Sequence, residues 1–507
     1  MLTKIITASL WGIDADLVTV ETDAHPGLPA LNIVGLADIT IKEAKDRIRP
    51  AVMNSGFRFP GNRITVNLSP AATRKEGSHF DLPVALGLLL LQEGAPAENA
   101  PGWGVLGELS LDGQVLPVTG ALPMAIGMRK SGIKKIMVPE GNAEEVSIVK
   151  DISVYPVESL REAYMIYTGQ VYAGRIARRD TASRKTCGKS EPDYADVAGQ
   201  ENVKRAVTIA AAGAHGLLMM GSPGVGKTMI ASRMPGIMPD LDYEGALTLT
   251  QIYSVAGRLS EKKQIIRGRP FIAPHTTITK AGLMGGGLKP KPGAVSLAHE
   301  GILFLDEFGE FDGKLLDMLR QPMEEGKIAI SRGGRNAVFP CSFMLVAASN
   351  PCKCGYLGDP KHECTCTPGQ IDSYRSRFSG PLMDRIDLHV KVEAVEERDL
   401  GRKTKGLSTP EMKEMVAGAR VLQRKRQKAR LNGELEPAEL KKYCPLGEEE
   451  RKFMEKAYSS LGLSMRVYHK IIKVSRTIAD LAGESEISVS HIAEALQYRG
   501  LESIYHR

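Results

Sequence analysis

A chain of 507 residues is longer than one ordinary hydrophobic core organises, and its length predicts about two or three domains. Hydrophobic residues at 43% and charged residues at 25% exclude the disordered, collagen-like and coiled-coil classes. The formal charge of +7, from 66 Lys+Arg against 59 Asp+Glu, is too small an excess to identify a nucleic-acid partner by itself.

The chain opens on Met1-Leu-Thr-Lys4 without the basic stretch, apolar run and cleavage site of a secretory leader. Its longest apolar runs, such as Leu82–Leu91, are too short to cross a bilayer, so a cytoplasmic protein without a membrane anchor is expected. Residues 1–171 mix alternating runs (Leu17–Thr22, Arg63–Leu68) with helical stretches (Ile41–Met53, Asp81–Leu91), an α+β pattern. Residues 172–191 are polar, basic and aperiodic, which predicts a linker. Residues 192–395 alternate helices with short, wholly apolar strands at Leu217–Met220, Ile302–Leu305 and Phe343–Ala348, the pattern of a parallel sheet covered on both faces. Residues 396–507 read as helical. The spacing of Tyr468, Ile471, Ile472, Ile478 and Leu481 marks one amphipathic helix ended by Gly483.

Gly221-Ser222-Pro223-Gly224-Val225-Gly226-Lys227-Thr228 fits GxxxxGK[ST] between the strand Leu217–Met220 and a helix beginning near Lys227. Glycines at these positions let backbone N–H groups curl around phosphate oxygens, and the helix N-terminus adds positive potential. Lys227 would reach the β and γ phosphates and Thr228 would ligate Mg2+; an ordinary Gly-rich turn is the bland alternative. Ile302–Leu305 delivers Asp306 and Glu307 at its end, Asp306 to hold Mg2+ through water and Glu307 to polarise the attacking water.

At this point the chain resembles the AAA+ ATPases, which implies ATP as substrate. Asn350, after the strand ending Ala347-Ala-Ser, resembles the family's polar sensor of the γ-phosphate, and Asp196–Gln200 its segment against the adenine. Pro381–Asp387 resembles the segment that supplies an arginine to the neighbouring subunit's ATP, making Arg385 the finger, with Arg375 and Arg377 as competitors and a surface salt bridge as the alternative. Gly462–Arg466 resembles the lid motif whose arginine contacts phosphate, making Arg466 a second sensor. An arginine acting in trans requires a ring.

The interval from Lys227 to Asp306 is longer than a strand-helix-strand step needs, so an insertion is expected around Arg269–Thr277, Gly285–Gly287 and Gly293–His299. Glu324–Phe339 reads as two strands around a Gly-Gly turn, a hairpin carrying Lys327, Arg332 and Arg335 as candidate DNA contacts. Insertion and hairpin together resemble the magnesium-chelatase and minichromosome-maintenance branch. The chain is most similar to the ComM/YifB family of magnesium-chelatase-like proteins, through Arg269-Pro-Phe, Ala273-Pro-His275, Ser296–His299, Leu303–Glu307, Arg320–Ile328 and Asn350–Gly355. That resemblance implies a homo-hexameric, ATP-driven helicase that migrates DNA branches. A magnesium-chelatase motor subunit and a Lon-like protein-remodelling machine are the rivals.

The N-terminal region resembles the proteolytic domain of Lon through Arg74–Leu86 and Gly107–Val118. Where Lon places its serine this chain has His79, with Ser78 adjacent, and Gly120–Met124 contains no lysine to activate a hydroxyl, so a non-proteolytic domain is expected. Cys352-x-Cys354 and Cys364-x-Cys366, nine residues apart, could close a four-thiolate structural Zn2+ site. His362 could replace one ligand, and reduced thiols without metal are the alternative. The basic runs Arg420–Arg430 and Arg402–Lys405 read either as a solvated helix face or as a surface facing DNA phosphates.

Overall fold

The computed structural model describes residues 2–71, 73–93, 102–171, 192–259, 265–287, 289–332, 334–378, 380–395, 406–428 and 430–499. The predicted linker 172–191 and the basic run Arg402–Lys405 lie outside the described residues.

The N-terminal part is a mixed sheet. A long antiparallel hairpin, β1 (Leu2–Trp11) and β2 (Asp14–His25), forms its centre. It is extended by β3 (Ala30–Val34), β4 (Arg63–Ser69), β5 (Trp103–Val105), β8 (Lys135–Pro139) and β9 (Ser153–Val157) in the order β3-β4-β2-β1-β5-β8-β9. The short pair β6 (Glu108–Leu109) and β7 (Val115–Leu116) makes a separate hairpin. Strand alternation sends Val18, Val20, Ile64 and Val66 to one face, where they pack on Leu82, Leu86 and Leu89 of the helix Asp81–Gln92. The other face packs Ile136, Val138 and Val154 against Met124, Ala125 and Met128 of the helix Ala121–Lys130. The expected single helix Ile41–Met53 divides at Glu43 into Ile39–Lys42 and Ala44–Asn54, where Asp46 N–H reaches back only three residues to Glu43 O and tightens the turn.

The second sheet is wholly parallel. Its strands are β10 (Leu217–Met220), β11 (Phe271–Ile272), β14 (Ile302–Leu305), β17 (Met344–Ser349) and β18 (Leu388–Lys391), in the order β11-β14-β17-β10-β18. Arg269–Thr277 is therefore only partly insertion, because Phe271–Ile272 pairs with Ile302–Leu303 as an edge strand of the core sheet. The added structure is the helix Lys280–Met284 with the small pair β12 (Gly285–Gly286) and β13 (Lys291–Pro292). The expected hairpin is present as β15 (Lys327–Arg332) and β16 (Arg335–Pro340).

From Thr409 the described chain is helical. The helices Thr409–Gln427 and Met465–Ala482 share one continuous core with Leu217, Met219, Phe304 and Val346 of the parallel sheet. Ser464 caps the second of these at Val467 N–H, and Gly483 ends it with φ +76°. Polar pins reinforce the contact. Asp387, just before β18, receives Lys470 Nζ at 2.8 Å and His215 Nδ1 at 2.9 Å, and His215 Nε2 meets Thr477 Oγ1 at 2.7 Å. Burial pushes the Asp387 carboxyl up, but Lys470 and His215 hold it well below the ordinary range.

The basic run near Arg420 is divided between this packing and solvent: Arg424, Lys425, Lys428 and Arg430 are exposed, whereas Arg420 and Arg426 are drawn into contacts. Arg420 is buried and donates to Ala211 O, Arg426 forms a two-pronged pair with Asp480 at 2.7 Å, and Arg430 pairs with Glu436 and Glu439. The two sheet units also touch. Tyr243 Oη donates to Ile148 O, Ser254 Oγ donates to Glu145, and Leu247 joins Leu122, Ile126 and Val149 in a small apolar cluster. Among the described residues no helix is long and apolar enough to cross a membrane.

Candidate nucleotide site

Parallel register brings three loops to one edge. Met220 pairs with Ser349, and Leu305 lies beside Ala347, so Gly221, Asp306 and Asn350 leave their strands side by side. That edge is where the carboxyl ends of an open α/β sheet present a crevice. Gly224 (φ +81°) and Gly226 (φ +90°) take left-handed backbone conformations that turn the loop into the helix Lys227–Ile237. A Cβ at Gly224 would meet nothing within 4 Å, so the loop is open on the side a phosphate would approach.

Lys227 is largely buried, and its ammonium donates to Gly221 O at 2.6 Å, Ser222 O at 3.0 Å and Asn350 Oδ1 at 3.0 Å. Burial lowers its pKa, opposed by Asp306 and Glu307. Thr228 Oγ1 donates to Asp306 Oδ2 at 2.6 Å, which brings together the hydroxyl and carboxylate that an octahedral Mg2+ would use. Glu307 follows at φ +50°, a strained conformation for a non-glycine residue, with its N–H on Asp306 Oδ1. The geometry and donor types fit a Mg2+–triphosphate.

The segment Asp196–Gln200 packs behind this loop. Arg233 of the phosphate-loop helix donates to Asp193 O and lies 3.8 Å from Asp196, while Gln200 reaches Glu393 O. Reading residue types alone missed Asp359. Its carboxylate accepts from Ser222 Oγ at 2.5 Å and from the N–H groups of Lys361 and His362, and these bonds, Ser222 first, hold it down to about 2. Tyr374 was also missed; its hydroxyl sits 3.2 Å from Ser349 Oγ and leaves no room for a Cβ at Gly309. No local motif marks either residue.

The arginines lie elsewhere. Arg385 pairs with Glu324, and Arg466 lies 3.6 Å from Asp384, beside the amino ends of β10 and β18, where Asp387 N–H bonds Gly216 O. Four residues of strand, about 13 Å, separate that end from the phosphate loop. Both arginines line a cavity of about 730 Å³ there, with Arg269, Arg420 and Lys473 on its walls. Thus Arg466 is not gathered with its own chain's phosphate loop, as a sensor acting in cis would be. Arg377 is tied within the chain to Gly309 O and Glu310.

On the hairpin, Lys327 and Arg332 are exposed. Arg335 is engaged instead, pairing with Asp16 at 2.6 Å and lying 5.0 Å over the Trp11 ring. The four cysteines Cys352, Cys354, Cys364 and Cys366 converge, all sulfurs lying within 4.8 Å of one another. His362 is turned to Asp359 and to the Tyr356 ring, so it does not join the thiols. In the N-terminal unit, His79 is buried with Nε2 donating to Ala8 O, and Ser78 bonds Glu108. The hydroxyl partner of Ser78 is thus the Glu108 carboxylate and not a lysine, and Leu122, in the segment without a lysine, is fully buried.

Three family descriptions match the chain: "Subunit ChlI of Mg-chelatase" over residues 20–142, "Magnesium chelatase, subunit ChlI" over 193–400, and its C-terminal part over 406–499. The chain is 42% identical to the competence protein ComM of Haemophilus influenzae, across 97% of this chain and 96% of that one. It is 39% identical to YifB of Escherichia coli, across 99% and 98%. Lon protease of Rhizobium meliloti is 26% identical over 31% of this chain and 21% of its own length.

Proposed function

Because the chain belongs to the ComM/YifB family of magnesium-chelatase-like AAA+ proteins, we propose that it is a ring-forming ATPase, homo-hexameric, which couples ATP hydrolysis to migration of branched DNA. The observation that carries the reading is the separation just described. Lys227, Thr228, Asp306 and Asn350 share one edge of the parallel sheet, while Arg385 and Arg466 lie at the other, where a neighbouring copy's nucleotide can meet them.

In this scheme backbone N–H groups of the phosphate loop bind the triphosphate, and Lys227 exchanges its carbonyl partners for β and γ oxygens. Thr228 and Asp306 hold Mg2+, which when bound neutralises phosphate charge. Glu307 orients water, Asn350 reads the γ-phosphate, and Arg385 and Arg466 of an adjoining copy stabilise the transferring group. The exposed Lys327 and Arg332 contact DNA phosphates, and the four cysteines hold a structural Zn2+.

The test is branch migration on defined three- and four-way junctions with and without ATP, using Lys227→Ala as the control. Activity that needs ATP and disappears with the substitution supports the reading. ATP turnover insensitive to every DNA structure sinks the DNA part, and turnover surviving Lys227→Ala sinks the nucleotide site itself.

A further inference from the structure

Between β17 and the helix Pro368–Arg375 the chain runs through residues 350–367 with neither helix nor strand. Within 351–366 only Cys352 and Gly355 are buried, so the loop has almost no apolar core to fix its shape. Yet it makes specific contacts with the phosphate loop. Asp359 accepts from Ser222 Oγ at 2.5 Å, and Gly355 (φ +91°) lies so close to Pro223 that an added Cβ would come within 2.6 Å of its Cδ. Asn350, two residues before the first cysteine, accepts from Lys227.

The two cysteine pairs stand at the ends of this loop and converge. Cys352 and Cys354 sulfurs lie 3.3 Å apart, and both approach Cys364, at 3.7 and 3.5 Å. Sulfurs bonded to each other would be about 2.05 Å apart. Four sulfurs placed about 2.3 Å from a central zinc stand ~3.8 Å from one another at tetrahedral angles. The observed spacing is close to that second value. The Cys354 N–H also points at Cys366 Sγ, 3.3 Å away, the kind of donor that stabilises a thiolate.

We propose that a Zn2+ bound by Cys352, Cys354, Cys364 and Cys366 braces the phosphate loop through Asp359 and Gly355, so that nucleotide affinity depends on metal at the thiolates. This rests on the nucleotide reading above and deepens it by naming what sets the shape of the loop. Metal closes the nine-residue excursion between the cysteine pairs, and the closed excursion presents Asp359 to Ser222. Loss of zinc releases both contacts at once without touching Lys227 or Thr228. The metal has four protein ligands and no open position, so its role is positional and not chemical.

The experiment compares the full-length protein as purified, stripped by a mercurial reagent with chelator, and reloaded with Zn2+, alongside the Asp359→Ala and Lys227→Ala variants. Metal content is measured by mass spectrometry, zinc release by a chromogenic chelator, and affinity by fluorescence of a labelled ATP with Mg2+. The expected result is one zinc per chain, affinity roughly tenfold weaker when stripped and recovered on reloading. Asp359→Ala should keep its zinc and show a similar loss. Substoichiometric metal, iron in place of zinc, or unchanged affinity in both the stripped protein and Asp359→Ala overturns the proposal. Lys227→Ala separates the layers: if it binds the labelled ATP normally the nucleotide reading has failed, whereas if it alone loses binding only the brace has failed.

Discussion

Arg466, on the first turn of its helix, reaches to within 3.6 Å of Asp384, and the next residue in the chain, Arg385, pairs with Glu324. Two arginines from the sheet unit and the helical unit are thus set on one wall of one cavity, at the amino end of the parallel strands. Their acidic partners are side chains exposed enough to exchange for phosphate oxygens; Glu324 is 58% exposed. If they serve a neighbouring copy, Arg385→Ala and Arg466→Ala proteins should each bind nucleotide normally and lose turnover by about 10³-fold. Mixing either with Lys227→Ala should restore part of the rate, because some interfaces then join an intact phosphate loop to intact arginines. Absence of recovery in mixed rings would show that the arginines act within their own chain.

Glu307 invites a different separation. It stands after Asp306 at φ +50°, and the Thr228 hydroxyl donates to Asp306. Glu307→Gln should therefore leave affinity for Mg2+–ATP nearly unchanged and lower kcat by roughly 10²- to 10³-fold, the scale of a lost general base. Asp306→Asn should instead raise the Mg2+ concentration needed for half-maximal binding. Steady-state turnover and labelled-ATP titrations at varied Mg2+ distinguish the two, and equal loss of affinity in both would remove the division of labour.

What the chain shows in sequence and what it hides follow from distance along the backbone. The phosphate loop is legible because its glycines, Lys227 and Thr228 are contiguous, and β10, β14 and β17 because each is a short run of wholly apolar residues. The edge strand Phe271–Ile272 is too short to show a period, so it reads as insertion. Asp359 stays hidden because Ser222 is 137 residues away, and Arg335 reads as a free hairpin cation because Asp16 is 319 residues distant. The run after Arg420 looks like a uniform basic face. Its buried members Arg420, Gln423 and Gln427 are spaced by three and four, a helical stripe turned inward beneath exposed Arg424 and Lys425.

The hairpin divides its own cations. Lys327 and Arg332 are exposed, while Arg335 is held by Asp16 and Trp11 of the N-terminal unit, and Gly12 leaves only 3.1 Å between its added Cβ and Ala337. Replacing Lys327 or Arg332 by Ala should weaken DNA binding and reduce the slope of log affinity against log salt by about one per residue. Arg335→Ala should leave that slope intact and instead increase protease sensitivity around the hairpin. Salt titrations of a fluorescent junction with the three variants provide the check, and identical slopes for all three would deny the hairpin a role in phosphate binding.

The N-terminal unit supplies a pH prediction with a definite sign. Burial lowers the His79 imidazole from 6.5 to about 4, against the pull of the Ala8 carbonyl that accepts its Nε2–H at 2.9 Å. Between those values the unfolded chain binds the proton and the folded chain does not, so stability falls as pH drops from 6.5 to 4 and levels off below. The full effect is on the order of 3 kcal/mol. Asp81 acts in the opposite sense: burial pushes it up to about 6 despite Arg47, so between 3.8 and 6 the folded state is the one that takes up the proton. Comparing wild type with His79→Gln cancels the Asp81 contribution and isolates that of His79. Both tryptophans, Trp11 and Trp103, lie in the N-terminal sheet, so their fluorescence reports unfolding of this unit. Urea midpoints at pH 7.5 and 4.5 should therefore drop more for wild type than for His79→Gln, and parallel drops would mean that the imidazole is already charged in the folded protein.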